Sequence, residues 1–264
     1  MTGPVSQPAD KIGDEIYRMT QEKLREANRV LDEFGALLAA AANAVAAVVG
    51  DWINVKIEEY NQWQARTLAE IGKLLTDLGG SPSAIRKVGD DWTQQVGAVA
   101  SAQAQELGRE QLPSFGSWKG NAADVYYIGV GIGQIKALEA VRGATNEINE
   151  SMKAIAAAIT SFWTSVGVAV TTLIGGIIGA LTASGTLIGI PVGIVIAVGA
   201  CIAFVALLTD AIFSLGNAFG DTRLLTAAEN AAPLQAGWPT LASPDVVSDA
   251  SATDGDPSQW QLSS

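Results

Sequence analysis

"TLIGGIIGALTASGTLIGIPVGIVIAVGACIAFVALL", residues 172–208, contains no charged side chain, and the charge-free run around it extends from Ala154 to Thr209. Two spans within this run, about Phe162 to Thr182 and Pro191 to Leu208, each approach the roughly 20 residues that cross the hydrocarbon core of a bilayer. The segment "TASGTLIGIP" between them is rich in turn residues. The sequence therefore predicts a hydrophobic, glycine-rich helical hairpin over residues 163–220.

Small residues recur at every fourth position of the first span and form one helical face. They are Gly167, Thr171, Gly175, Gly179 and Ala183. Such a face lets two helix backbones approach closely in lipid, and we predict that it packs copies of the chain against one another. A second series straddles Pro191, which we expect near a helix start, so only its later members are predicted to share a helix. That series is Gly185, Gly189, Gly193, Ala197 and Cys201.

Two environments are compatible with this hairpin. In water a glycine weakens a helix by about 1 kcal/mol relative to alanine, so many glycines within apolar helices favour lipid or a tightly packed protein environment. The hairpin is therefore either inserted in a bilayer or buried in a soluble helical bundle. The two states are connected if the amphipathic residues before the hairpin sheath it until a bilayer or an oligomer releases it.

Composition narrows the classes of function. Hydrophobic residues make up 48% of the 264 residues and charged residues 16%, which favours membrane contact or extensive burial over an ordinary soluble enzyme. The net charge of −11 argues against attraction to nucleic acid or to anionic lipid by bulk electrostatics. The chain has no histidine, and its one cysteine, Cys201, is interpreted as a small packing residue. We therefore expect no catalytic site, no metal site and no cofactor.

The rest of the chain is predicted to be mostly helical. Apolar residues recur at spacings of three and four across Gly50-Asp51, which is either a kink or the turn between two helices. The predicted regions are a flexible N-terminus (1–10), a long amphipathic helical region (11–80), a helical hairpin (81–162), the hydrophobic hairpin (163–220) and a disordered acidic tail (221–264). The predicted fold class is all-α, an elongated helical bundle.

A tryptophan lies in the turn of the 81–162 hairpin, within "SFGSWKGNAADVYY". Trp118 and Gly120 come shortly before Asn121, which can cap the next helix. Glycine permits a tight backbone at such a turn. A tryptophan there can close the open end of the hairpin, because its large ring fills the space where the two helices diverge.

This part of the chain, about residues 85–160, resembles the small Trp-x-Gly helical hairpins that type VII (ESX-type) secretion systems export. The resemblance rests on Trp118 and Gly120, on the Ala-Ala pair that follows, and on the aromatic Tyr126 or Tyr127. It implies export without a classical signal peptide, and "MTGPVSQPADKIGDEIYR" lacks the basic and apolar regions of one. It also implies a helical-hairpin secretion partner. Neither tyrosine has an acidic residue four places on, so the family's Tyr-x-x-x-Asp/Glu export signal has no clear counterpart.

Together these observations predict a type VII secretion-associated, membrane-active protein that oligomerises and forms a pore or inserts into a membrane. Its expected partners are membrane lipid and further copies of itself, and its expected location is outside the cell or in the cell envelope. The main alternative is a soluble partner-binding or chaperone-like protein whose apolar hairpin is an interaction surface. A third hypothesis is an integral membrane subunit made in place.

Overall fold

The computed structural model describes residues 8–50, 52–76, 81–108, 111, 117–220 and 261–262. Within these residues the fold is all-α, as predicted. The helices are α1 (Pro8–Val49), α2 (Trp52–Thr76), α3 (Pro82–Trp92), α4 (Ala98–Glu106), α5 (Asn121–Tyr126), α6 (Ile132–Ala183) and α7 (Ile190–Gly220). A π-helical turn, Thr93–Gly97, connects α3 to α4, and a second one, Tyr127–Gly131, connects α5 to α6.

The described residues form two compact units. The first unit contains the described residues up to Ile85 and those from Ala154 to Gly220, so it holds α1, α2, the C-terminal part of α6, and α7. The second unit contains the described residues from Arg86 to Lys153 together with 261–262. The apolar hairpin of α6 and α7 therefore clusters with α1 and α2 and does not form a unit of its own.

Gly50 separates α1 from α2. Its φ of 95° lies in the left-handed region that favours glycine, so the chain turns here and does not merely kink. The two helices then run side by side: the rings of Phe34 and Tyr60 meet edge to face with centroids 5.1 Å apart. The Tyr60 hydroxyl and the Gln64 amide both donate to the Leu31 carbonyl oxygen, each at 3.1 Å.

The apolar hairpin packs with α1 and α2 around one core. As predicted, α6 runs without a break from the polar into the apolar part of the chain, and its sequence contains no proline that would interrupt the helix. Trp163 of α6 is buried, and its ring meets Tyr17 of α1 edge to face at 4.8 Å. Buried side chains from all four helices continue this core along α7.

The second unit contains a helical hairpin. A Cβ atom added to Gly89 of α3 would lie 2.7 Å from the Asn149 side-chain oxygen and 3.0 Å from the Met152 Cβ of α6. Gly97, farther along the chain, faces Thr145, which is earlier in α6. The α3–α4 segment therefore runs antiparallel to the N-terminal part of α6, and these two glycines allow its close approach.

A short antiparallel pairing also belongs to the second unit. It joins Trp118–Lys119 to Gln261–Leu262, with Trp118 opposite Leu262. Most of the predicted acidic tail, residues 221–260 and 263–264, lies outside the described residues, as does most of the predicted flexible N-terminus.

Candidate functional site: an apolar hairpin with one uncovered side

The outer sides of α6 and α7 carry large apolar side chains that no described helix covers. Ile178 is 49% exposed, Val195 is 61% exposed and Phe213 is 69% exposed. We call the following exposed apolar residues the outer apolar set: Val168, Ile178, Val192, Val195, Ile202, Leu207, Ile212 and Phe213. The turn between the helices is apolar as well, since Leu187 and Ile188 are exposed there.

Both helices of the hairpin are long and apolar enough to cross a membrane, judged by length and composition. Only 33% of the most apolar window of Tyr127–Ala183 and 44% of that of Ile190–Gly220 is buried. A helix that is the core of a soluble protein is covered on most sides, whereas these helices are covered on about one side each. The hairpin is thus only half enclosed.

The predicted small-residue face, Gly167 to Ala183, does not form the contact between α6 and α7. Gly167 faces Thr20 of α1, and the Thr171 hydroxyl accepts a hydrogen bond from Lys23 of α1 at 2.9 Å. Gly175 has no atom within 4 Å of the place where a Cβ would stand. A Cβ on Gly179 would lie 3.9 Å from a methyl group of Ile196 of α7, an ordinary van der Waals distance, and Ala183 is half-buried. The role of this face in contacts between copies of the chain stays a prediction.

The close contact between the two apolar helices uses the residues one position later. A Cβ on Gly176 would collide with the Cβ of Ala200, and a Cβ on Gly193 would lie 2.7 Å from the Ala180 carbonyl oxygen. Ala180, Ser184 and Ala197 are buried between them in the same register. From the sequence, the series beginning at Gly176 is as regular as the series beginning at Gly175, so spacing alone does not select it. Only Gly193, Ala197 and Cys201 of the second predicted series lie within α7, as expected.

The inner side of the hairpin is covered by α1 and α2, which present apolar residues inward and charges outward. Lys23 of α1 meets Thr171 of α6, and Thr67 of α2 lies beside Cys201 of α7, so both covering helices pass the middle of the apolar spans. Burial raises the pKa of the Tyr60 hydroxyl, which therefore stays protonated and donates to α1. We call α1 and α2 together the cover.

Charged side chains line the water-facing side of the cover. Arg18 pairs with Glu22 at 2.7 Å, and Lys56 pairs with Glu59 at 2.7 Å. The Arg18 and Glu22 side chains are each more than half exposed. Such pairs stabilise a helix only slightly in water. Their importance is that they place ionised groups alongside the apolar hairpin.

The Trp-x-Gly turn lies in the second unit, and its predicted residues come together there. The ring of Trp118 is half-buried, with its centroid 5.5 Å from that of Tyr126. Gly120 has a φ of 105°, which requires glycine, and its carbonyl oxygen accepts hydrogen bonds from the Ala123 and Asp124 amides. Tyr127 is half-buried and begins the π-helical turn.

One detail of this turn was predicted wrongly. Gly120, and not Asn121, occupies the position before the first helical residue, so the N-cap residue has no side chain. The positive φ of Gly120 redirects the chain one residue earlier than the expected cap.

Comparisons with family models, with curated proteins and with solved structures gave no match for this chain.

Proposed function

We propose that this chain is a membrane-active, oligomerising protein that carries its apolar hairpin under a removable helical cover and is associated with type VII secretion. The observation that supports this most is the half-enclosed hairpin: one side packs on α1 and α2, while the outer apolar set faces solvent. Exposed apolar surface of this kind marks a contact with another macromolecule or with a membrane.

Because the cover is charged, adsorption to a membrane and insertion into it are two separate steps. The outer apolar set can settle on a bilayer surface with the cover in place, because adsorption leaves Arg18, Glu22 and their neighbours in water. Full insertion of α6 and α7 is different. If α1 stayed beside α6, its charges would enter the hydrocarbon, at a cost of about 3 kcal/mol or more for each charged residue near the centre. The hairpin therefore spans a bilayer only after the cover has moved away.

The two helices of the cover are joined directly to each other. Gly50 joins α1 to α2 in a turn, so the two helices can leave as a pair that keeps its own contacts, including Phe34 with Tyr60. The core residues of α6 and α7 that the cover leaves behind are apolar, and lipid can replace the cover around them.

The association with type VII secretion rests on the Trp-x-Gly turn. Trp118 and Gly120 lie between the α3–α4 segment and α6, which run antiparallel in the second unit. Exposed apolar residues follow one side of the α3–α4 segment, with Val88 48%, Trp92 44% and Val99 54% exposed. Their spacing fits a stripe that packs against a helix of a partner, which supports the proposed helical-hairpin secretion partner.

A second candidate function draws on the same exposed surfaces. In a soluble partner-binding or chaperone-like protein, the outer apolar set would be covered by a protein and not by lipid. The observation that favours this candidate is the core that α1 and α2 share with the hairpin, because a protein whose cover stays in place needs such a core.

Liposome experiments on the purified full chain test the proposal. We expect the wild type to float with vesicles and to release an encapsulated dye, with release rising more steeply than in proportion to protein concentration because several copies act together. Fractionation of the producing cells adds the location. Protein that is soluble, complexed with a stoichiometric helical partner and unable to float with vesicles would support the second candidate and contradict the proposal. Protein that needs detergent from synthesis onward would support the integral subunit.

A further inference from the structure

An open groove of about 370 Å³ lies between α1 and α6 in the first unit. Its walls are mostly apolar and include Ile16 and Met19 of α1 and Trp163 and Val168 of α6. Threonine hydroxyls also line it, but each donates to a backbone carbonyl oxygen of α6, as Thr171 does to Gly167. The groove therefore offers a mainly hydrocarbon surface, of a volume that is usual for small-ligand sites.

Lys23 lines one part of this groove and is the one charged residue among its described lining residues. Its ammonium group donates one hydrogen bond, to the Thr171 hydroxyl at 2.9 Å, which leaves two N–H donors. The neighbouring acids of α1 are occupied elsewhere, since Glu22 pairs with Arg18 and Glu26 lies near Arg29. Among the residues that the structure describes, no carboxylate lies within ion-pair distance of Lys23.

A cation without an anionic partner beside an apolar groove is complementary to an amphiphile that has an anionic head and a hydrocarbon chain. The position of the groove identifies the source of that amphiphile. Val168 belongs both to the groove and to the outer apolar set, and it is 58% exposed. A lipid of a bilayer under the outer apolar set can thus enter the groove from the side while its head reaches Lys23 at the interface.

We infer that the groove between α1 and α6 binds one anionic phospholipid, whose phosphate accepts hydrogen bonds from Lys23 and whose acyl chain lies along Trp163 and Val168. The inference rests on the proposed membrane function and adds a lipid preference to its adsorption step. Because the net charge of the chain is −11, a preference for anionic lipid would come from this site and not from the overall electrostatic field.

The test measures flotation of the full chain with vesicles of phosphatidylcholine alone and with vesicles of equal amounts of phosphatidylcholine and phosphatidylglycerol. Lys23→Gln removes the charge and keeps a donor for Thr171. Lys73→Gln is the matched control, because Lys73 pairs with Glu70 on α2 and its loss changes the net charge equally. A charge-retaining variant, Lys23→Arg, checks for rescue, and thermal melting in buffer checks folding.

We expect wild type to partition more strongly onto the anionic vesicles, and Lys23→Gln to lower that partitioning about fivefold, as expected for one basic residue at an anionic surface. Partitioning onto pure phosphatidylcholine should not change, Lys73→Gln should match wild type, and Lys23→Arg should restore binding. Equal losses for Lys23→Gln and Lys73→Gln would overturn the inference in favour of bulk electrostatics.

Competition by free oleate that removes the lipid preference at concentrations too low to disturb the vesicles would overturn it in favour of a soluble fatty acid. If wild type floats equally well with both kinds of vesicle, the lipid site fails while the membrane function stands. If wild type floats with neither, both fail.

Discussion

Two adjacent glycines illustrate how much the role of a residue in this protein depends on its register. Gly176 faces Ala200 so closely that any side chain would collide with α7, whereas Gly175 faces open space. Both positions are glycine in the charge-free part of α6, and both belong to a series of small residues spaced by four. Gly175 is thus available for contacts outside the chain, whereas Gly176 allows the close contact between α6 and α7.

Leucine substitutions at these two positions should have opposite effects. Gly176→Leu should lower the free energy of unfolding by about 1 to 3 kcal/mol or more, because it overpacks the contact between α6 and α7. Gly175→Leu should leave the melting temperature in buffer unchanged or raise it slightly, because its side chain enters open space and leucine forms helices better than glycine. In liposomes, however, Gly175→Leu should still float but should associate less with other copies, which cross-linking and dye release measure.

Each variant controls for the other, since both add the same side chain to the same helix. A large loss of stability from Gly175→Leu in buffer would contradict the register described above. Normal cross-linking and dye release by Gly175→Leu would remove the small-residue face as an oligomer contact.

The sequence could predict that small residues form a packing face, but not which of the two faces packs within the chain. The period of four is the same for both, and only the tertiary contacts, in which Gly176 faces Ala200 of α7, distinguish them. The groove at Lys23 could not be predicted from the sequence either, because it also depends on tertiary contacts. Its walls come from residues more than a hundred positions apart, and nothing in the local pattern of α1 indicates that Lys23 would lie beside Thr171.

At the scale of the elements, helical periodicity was sufficient to predict the all-α fold and the long uninterrupted α6. It left Gly50-Asp51 open between a kink and a turn, because the outcome depends on a backbone angle that the apolar pattern does not encode. It also did not indicate the two π-helical turns. Near the first of these, Gly97 meets Thr145, so a tertiary contact accompanies the irregular backbone.

The Trp-x-Gly turn gives a prediction at this scale. Trp118 is only half-buried, so Trp118→Ala should lower the free energy of unfolding by about 1 to 2 kcal/mol, less than the loss of a fully buried ring. If the proposed association with type VII secretion is correct, the same variant should lose export almost completely. Chemical denaturation and the amount of protein in the culture medium give the two readouts.

Tyr126→Ala is the matched variant, because it removes the other ring of the 5.5 Å pair but leaves the Trp-x-Gly motif intact. It should reproduce part of the loss of stability and leave more of the export. Normal export of Trp118→Ala would remove the main support for the secretion association, whatever its stability.

At the scale of the whole molecule, the first unit combines a hairpin suited to lipid with a cover suited to water. The core of the unit is apolar on both sides of the boundary between them, and few hydrogen bonds of the described residues cross that boundary, among them those from Thr20 to the Trp163 carbonyl oxygen and from Lys23 to Thr171. This is the central claim: the cover keeps the hairpin out of the bilayer, and its departure permits insertion. A covalent link between cover and hairpin should therefore separate adsorption from insertion.

The most direct measurement uses a disulfide between α1 and α6. A Cβ on Gly167 would lie 3.1 Å from the Thr20 hydroxyl oxygen, which is within the reach of a disulfide between Thr20→Cys and Gly167→Cys in a Cys201→Ala background. We predict that the oxidised protein floats with liposomes but releases no dye, and that reduction restores release to the level of the Cys201→Ala parent. Equal dye release by the oxidised and reduced forms would contradict the claim, because insertion would then proceed with the cover in place.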